Sequence, residues 1–368
     1  MARGSLRSRF PDYLFIGLLA ALVVFGLVML ASASSDLAKL RFGDSYYYLK
    51  HQIYFGLLPG IVGFFAAFFI PFRKFEKFAI PLLVISIIFL ILVFTPFGLK
   101  IKGSDRWLAF GPLTFQPGEI IKLTFLIFLG SWISRDKERI KSFIKGLVPF
   151  LILIGAVTGL LVAQPSTSIA VIIFLASGAM YFAAGARFRF LFAAGAILVA
   201  VVGAITLVTP YRMERIMTYL HPDSDPLGAT YHINQAVTAI GSGGLFGVGY
   251  GQSTTKLKYL PEPIGDSIFA VIGEELGFIG ALALILVFTL FTLQGFAIAR
   301  RTPDTFGRLL VIGFMSLLGV QIFINIAAIS GIIPLTGVPL PFVSYGGTAL
   351  AVFLTMCGIV ANISRYER

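Results

Sequence analysis

The sequence predicts an all-α, polytopic integral membrane protein, and three observations carry that prediction. Of 368 residues, 57% are hydrophobic and only 12% are charged, with a mean hydropathy of +0.92. A soluble domain of similar length carries about 25% charged residues. Apolar runs near the length needed to cross a bilayer as a helix, about 20 residues, recur along the whole chain. Most of the 29 Lys and Arg residues collect in short segments between alternate runs.

Taken in order, the expected spans are 13–32, 53–71, 78–97, 117–133, 147–164, 167–184, 189–208, 267–297, 307–330 and 346–364. The first follows Arg3, Arg7 and Arg9 and precedes a small-residue SAS, as a signal peptide would. Its apolar core is too long for one and many spans follow, so it reads as an uncleaved helix. The fourth opens on Glu119 and Lys122, and the eighth is long enough to tilt or project. The basic segments 72–77, 134–146, 185–189 and 298–306, with both termini, are placed on the cytoplasmic side by the positive-inside rule. That gives N-in and C-in, with a large extracytoplasmic loop at 209–266 between the seventh and eighth spans. The whole chain, 1–368, reads as a single transmembrane domain. The net charge of +12 suits loops against an anionic leaflet, so no nucleic-acid partner is expected. Cys357 is the single cysteine and can form no internal disulfide.

This topology sorts the chemistry. GSDRW (103–107), FQPGEIIK (115–122), AQPSTS (163–168), YRMERI (211–216), the glycine-rich 241–253, YLPEPIGDS (259–267) and PLTGVPLPFVSYGG (334–347) all fall in outer segments or adjoining helix ends. The active face is therefore expected to point away from the cytoplasm, with no nucleotide cofactor. Asp266 stands at the mouth of the eighth span. It reads equally as a helix N-cap or as a partly desolvated carboxylate suited to proton abstraction. Glu274 falls on the same helix face as Asp266 and could face a polar cavity, whereas both Glu274 and Glu275 could instead pair with basic residues. Arg106, Lys122, Arg212, Arg215 and Lys256 are the candidate cations for an anionic group. Glu119, three residues before Lys122, is expected to orient it. The glycine-rich run lacks the ending of a phosphate-binding loop and signals tight turns alone. PLTGVPLPFVSYGG must be a stiff, non-helical segment lining protein or a cavity. His51, His221 and His232 have no metal-like spacing.

In combination, SAS at 32–34, GSDRW, FQPGEIIK, YRMERI with HPDSDPLGATYHINQA, AIGSGGLFGVGYGQS, KLKYLPEPIGDSIFAVIGEELGFIGA and GIIPLTGVPLPFVSYGGTAL resemble the SEDS proteins (shape, elongation, division and sporulation) over nearly the whole chain. The resemblance is nearer to the FtsW branch than to RodA. Where the family usually has His-Thr-Asp-Phe, this chain has Ile264-Gly265-Asp266-Ser267. Its QPSE appears as Gln116-Pro117-Gly118-Glu119, and its QPDxGT as Gln164-Pro165-Ser166-Thr167-Ser168.

The resemblance implies a peptidoglycan glycosyltransferase. It would polymerise lipid II at the outer face of the bacterial inner membrane, with a class B penicillin-binding protein and divisome or elongasome membrane proteins as partners. Asp266 would be the general base for the acceptor hydroxyl. Arg106, Lys122, Arg212, Arg215 and, more weakly, Lys256 would bind the departing pyrophosphate. Gln116, Trp107, Glu119, Glu274, Ser344 and Tyr345 would support the site. A divalent cation, Mg2+ or Mn2+, is an open expectation that would make Asp266 a ligand rather than a base. A lipid II flippase, a non-catalytic scaffold for the penicillin-binding protein and, ranked lowest, an ion-coupled transporter are the alternatives.

Overall fold

The computed structural model describes residues 10–101, 104–110, 113–136, 138–221 and 230–366. Each of the ten expected spans contains a helix. They are α1 (Tyr13–Phe42), α2 (Tyr47–Phe69), α3 (Ala79–Leu92), α4 (Pro117–Arg135), α5 (Phe143–Ala163), α6 (Thr167–Ala183), α7 (Phe188–Val208), α10 (Ile268–Arg301), α11 (Thr305–Ile329) and α12 (Gly347–Ser364). Eight are long and apolar enough to cross a membrane; α3 and α6 are shorter. Among the described residues of the long loop before α10, the two longer helices are α8 (Pro210–Leu220) and α9 (Tyr231–Ser242).

Helix ends follow local chemistry. Asp12 caps α1 by accepting from the Phe15 amide at 2.9 Å, which satisfies a first-turn donor. Nothing between Met29 and Phe42 breaks the helix, so it runs ten residues past the expected end, until Gly43 takes the left-handed conformation (φ 71°). Only 43–46 is non-helical before α2 begins.

The body was expected to be all-helical, and one small sheet is added to it. Strands β1 (Gly98–Ile101), β2 (Ser104–Phe110) and β3 (Leu113–Phe115) form an antiparallel meander in the order β1-β2-β3. Leu99 pairs with Trp107, and Leu108 with Phe115. Then Pro117 enters α4 in its first turn, where a missing amide costs nothing.

At the centre α11 packs against α4, α6 and α10, while α12 lies along α2. Small residues allow that close approach: a β-carbon on Gly56 would sit 3.0 Å from the Gly347 Cα. By contrast α7 is mostly exposed, and its contacts run mainly to α6 and α8. Its outward residues are apolar, Phe192 and Val199 among them, as lipid rather than water requires. Polar contacts tie the far end of the bundle. Asp12 accepts from Gln294 Nε2 at 2.6 Å, and Arg73 pairs with Asp304 at 2.7 Å.

A break in α10 explains the glycine-rich run. Gly277 has φ 67° and ψ −168°, so the helix is interrupted there. The carbonyls of Glu274 and Glu275 accept from the amides of Val248 and Gly249, both at 3.0 Å. In return the amides of Phe278 and Ile279 donate to Gly244 and Leu245. The loop thus replaces the helix's own lost bonds, as buried backbone requires. A β-carbon on Gly247 would stand 2.2 Å from the Glu275 oxygen, at a left-handed φ of 80°. Gly247→Ala is therefore expected to lower stability by about 2–4 kcal/mol, read as a drop in thermal midpoint of the purified protein.

Candidate active site

The site is built on the turn before α10. Glu262 adopts a left-handed φ of 50°, and its carbonyl accepts from the amides of Gly265 (3.0 Å) and Ser267 (3.3 Å). The carbonyls of Ile264, Gly265 and Asp266 each receive a donor from the last third of the chain. Tyr345 N donates to Ile264 O at 2.8 Å, Ser344 Oγ to Gly265 O at 2.6 Å, and Asn325 Nδ2 to Asp266 O at 2.8 Å. The backbone that carries Asp266 is therefore fixed at three consecutive residues. Ser344 and Tyr345 were candidate supporting residues, and this is how they touch the turn. Tyr345 Oη also lies 2.8 Å from His51 Nδ1. Asn325 was missed. Its signal was an amide inside an apolar span, which must find partners when buried; it also donates to Val338 O at 2.7 Å.

Asp266 is not the helix cap. That position belongs to Ser267, whose side chain makes no capping bond. The Asp266 carboxyl instead lines a cleft of about 180 Å³, with Tyr211, Glu214, Arg215, Thr218 and Tyr219 from α8, His232 and Ile233 from α9, and residues 333–335. Its Oδ1 is buried and has no hydrogen-bond partner. Burial raises its pKa above the ordinary carboxylate value; the His232 charge opposes this, Glu262 adds to it, and Arg215 opposes it. A carboxylate moved upward by desolvation is a stronger base.

Arg215 stands on the opposite wall, and Arg212 and Arg106 lie near it rather than on the cleft lining. Arg215 donates to Leu335 O at 2.9 Å and to Tyr211 Oη, and lies over the Tyr211 ring at 4.7 Å. Arg212 donates to Thr209 Oγ1 at 3.1 Å and Val162 O at 3.3 Å. Arg106 has a buried Nε without a hydrogen-bond partner. Its pKa is lowered by burial, while nearby Tyr211 opposes the shift and the charges of Arg215 and Arg212 add to it. Three mutually repelling guanidinium groups with donors to spare suit an anion. Gly337, at φ 67°, sits between the two walls: a β-carbon there would lie 3.7 Å from both Asp266 Oδ2 and Arg215 Nη2.

The segment expected to be stiff forms the floor of the site. Ser168 Oγ donates to Thr336 O at 2.7 Å, Tyr219 Oη to Ile332 O at 2.8 Å and Gln321 Nε2 to Pro339 O at 2.9 Å. The AQPSTS motif thus holds the floor through Ser168.

Two candidate cations are corrected. Lys122 is fully buried, 2.6 Å from Glu119 and 2.9 Å from Gln321 Oε1, beneath the Phe353 ring. Lys256 is 2.6 Å from Glu275 and 3.0 Å from Ser32 Oγ. Both charges are committed to internal carboxylates, so neither lines the cleft. Glu274 is a structural residue. Rather than facing a cavity beneath Asp266, it accepts from Ser253 Oγ at 2.6 Å, Thr254 N at 2.9 Å and Thr255 Oγ1. The docked glycine-rich loop brings those donors to it. Ser32 of SAS donates to Glu275 at 2.6 Å. Gln116 donates its amide to Thr348 Oγ1 at 3.3 Å, and Trp107 is half-buried on β2; neither lines the cleft. Part of GSDRW and of the HPDSDP stretch lies outside the described residues, as do the side chains of Lys100, Lys102 and Lys258.

Among the described residues no three of His, Cys, Asp and Glu converge as a metal site. Asp266 shares its cleft with Glu214, His232 and Arg215.

Fold and cleft define a multi-pass membrane protein with a buried acid facing arginines at one end of its helix bundle. The family model described as a cell cycle protein, covering FtsW, RodA and SpoVE, matches residues 12–368, and the chain belongs to that family. It is 37% identical over 359 residues to stage V sporulation protein E of Bacillus subtilis, covering 97% of this chain and 98% of that protein. It is also 37% identical over 354 residues to the probable peptidoglycan glycosyltransferase FtsW of Trichlorobacter lovleyi, covering 96% and 93%. Among solved structures it is similar to a chain of a peptidoglycan synthase complex in which polymerization and crosslinking are coordinated, with TM-score 0.82, 29% identity and coverage of 96% and 98%. It is likewise similar to the rod shape determining protein RodA of Thermus thermophilus, with TM-score 0.72, 28% identity and coverage of 97% of each chain.

Proposed function

We propose that the cleft between Asp266 and Arg215 is where this SEDS peptidoglycan glycosyltransferase joins lipid II units into glycan strands, at the outer face of the bacterial inner membrane. The observation that carries this reading is the buried, unpartnered Asp266 Oδ1 in a cleft walled by arginine. The acceptor sugar hydroxyl is a poor nucleophile until a base takes its proton. Asp266 takes it as the new glycosidic bond forms. The bond from the donor sugar to its pyrophosphate breaks, and the electron pair leaves with the phosphate. Arg215, Arg106 and Arg212 stabilise that growing charge. The outer-face assignment rests on the basic segments at the opposite bundle end. A class B penicillin-binding protein is the proposed partner for crosslinking, within a divisome or elongasome. A divalent cation, if used, would arrive with the pyrophosphate rather than reside in the protein. A flippase needs polar groups open to a path through the membrane; Lys122, Glu119 and Gln321 are instead closed on one another.

The test is polymerisation of purified lipid II by the reconstituted protein, with a partner lacking its own glycosyltransferase domain. Wild type is expected to give polymer resolved on a gel. Arg215→Ala is expected to lose about a hundredfold in rate and Arg215→Lys less, because a point charge keeps attraction without the bidentate fork. No polymer from wild type, with transbilayer movement of labelled lipid II in its place, would overturn the reading.

A further inference from the structure

The cleft holds a third ionisable side chain that the reaction described above does not use. His232 is the second residue of α9 and lines the cleft beside Asp266. Its Nε2 lies 2.7 Å from Ser267 Oγ, and Ser267 is fully buried next to Asp266. The ring cannot drift, because α9 is packed on α10: a β-carbon on Gly273 would lie 3.2 Å from Ile240. His232 therefore sits on a rigid wall, one residue from the base in sequence of contacts and in the same cavity.

A buried carboxylate without a donor favours its protonated form, and that form cannot act as a base. Something in the cleft must hold Asp266 ionised. The groups facing His232 are Asp266 and Glu262 from the turn, which favour its imidazolium, and Arg215 from α8, which opposes it; Glu214, Tyr211 and Tyr219 line the same cleft. Burial lowers the His232 pKa and raises that of Asp266, and the attraction between the two charges opposes both shifts. Arg215 also bonds Leu335 O and Tyr211 Oη.

We propose that His232 is a positioning residue for the base: its ring, anchored on Ser267 in the same cleft, draws the buried Asp266 carboxyl toward its ionised form before the acceptor hydroxyl arrives. This rests on the assignment of Asp266 as the base. The acceptor gives its proton to the unpartnered Oδ1, and Asp266 returns it to solvent through the cleft.

The test separates this pair from the overall reaction. Dicyclohexylcarbodiimide reacts with protonated carboxyl groups, and its addition to Asp266 is read by peptide mass spectrometry across a pH series on the full-length protein in nanodiscs. In His232→Gln, whose amide can still bond Ser267, labelling of Asp266 is expected to persist to higher pH than in wild type. The acid limb of the polymerisation profile should move the same way, so that severalfold more rate is lost at acid pH than at alkaline pH. A labelling curve that coincides with wild type overturns the proposal. Should His232→Gln unfold, Ser267→Ala releases the ring without removing it, and an unshifted curve there overturns the proposal equally. A shifted curve in a protein that makes no polymer upholds the pair and faults the functional reading instead.

Discussion

Asp266→Asn is expected to abolish glycan polymerisation without destabilising the protein. General base catalysis contributes about 10²–10⁴ in rate, and Asn cannot accept the proton. The loss should appear in the turnover rate rather than in substrate affinity. The stability half of the prediction comes from the same burial. The folded-state pKa of Asp266 is raised, chiefly by desolvation. For a raised acid, folded stability is fully present below the unfolded pKa and declines as pH rises through the folded value. Near neutral pH the ionised carboxylate is therefore a burden on the fold that Asn removes. The thermal midpoint of the variant should equal or exceed that of wild type at neutral pH, and the difference should shrink on acidification. Lost activity with a lower midpoint would make Asp266 a structural residue. Undiminished polymerisation would sink its role as base. In wild type, activity should rise with pH through the Asp266 titration, because only the carboxylate accepts a proton.

Lys122→Met should be among the most destabilising single changes in the molecule. Lys122 and Glu119 are both buried and 2.6 Å apart. Removing one partner leaves an uncompensated charge in the apolar interior, at a cost of about 3–5 kcal/mol. The damage should reach the site, because Gln321 accepts from Lys122 and donates to Pro339 on the floor segment. Replacing both partners, Glu119→Gln with Lys122→Met, removes the stranded charge and should recover much of the loss. Thermal unfolding of the single and double variants in detergent checks this. A single variant as stable as wild type would show that the pair contributes nothing to the fold.

Much of the architecture was legible because the bilayer imposes it. A spanning helix must satisfy its own backbone and present apolar side chains to lipid, so the ten runs and their spacing stand out in the sequence. Local caps were not read: Asp12 caps α1, while Asp266, weighed as a cap, is not one. The sheet at 98–115 was not read, because its strands are short and its pairing is between segments rather than within one. The glycine-rich run could be read only as turns, since its partners are carbonyls of a helix break twenty to thirty residues away.

At the site the same division holds. Sequence alone determined the residue types available: a carboxylate at a span mouth, arginines in YRMERI and GSDRW, and a rigid proline-rich segment near the end. It ranked Lys122 with Arg215 and Lys256 just below them as cations, because all three carry the same charge at outer segments or helix ends. Only the tertiary structure separated them, by enclosing the two lysines against Glu119 and Glu275 and leaving the Arg215 guanidinium on the cleft wall. It likewise brought His232 and Asn325 to Asp266. A side chain's chemistry is a property of its sequence position, but its partners, its burial and hence its pKa depend on contacts between residues far apart in the chain, and those exist only once the bundle has closed.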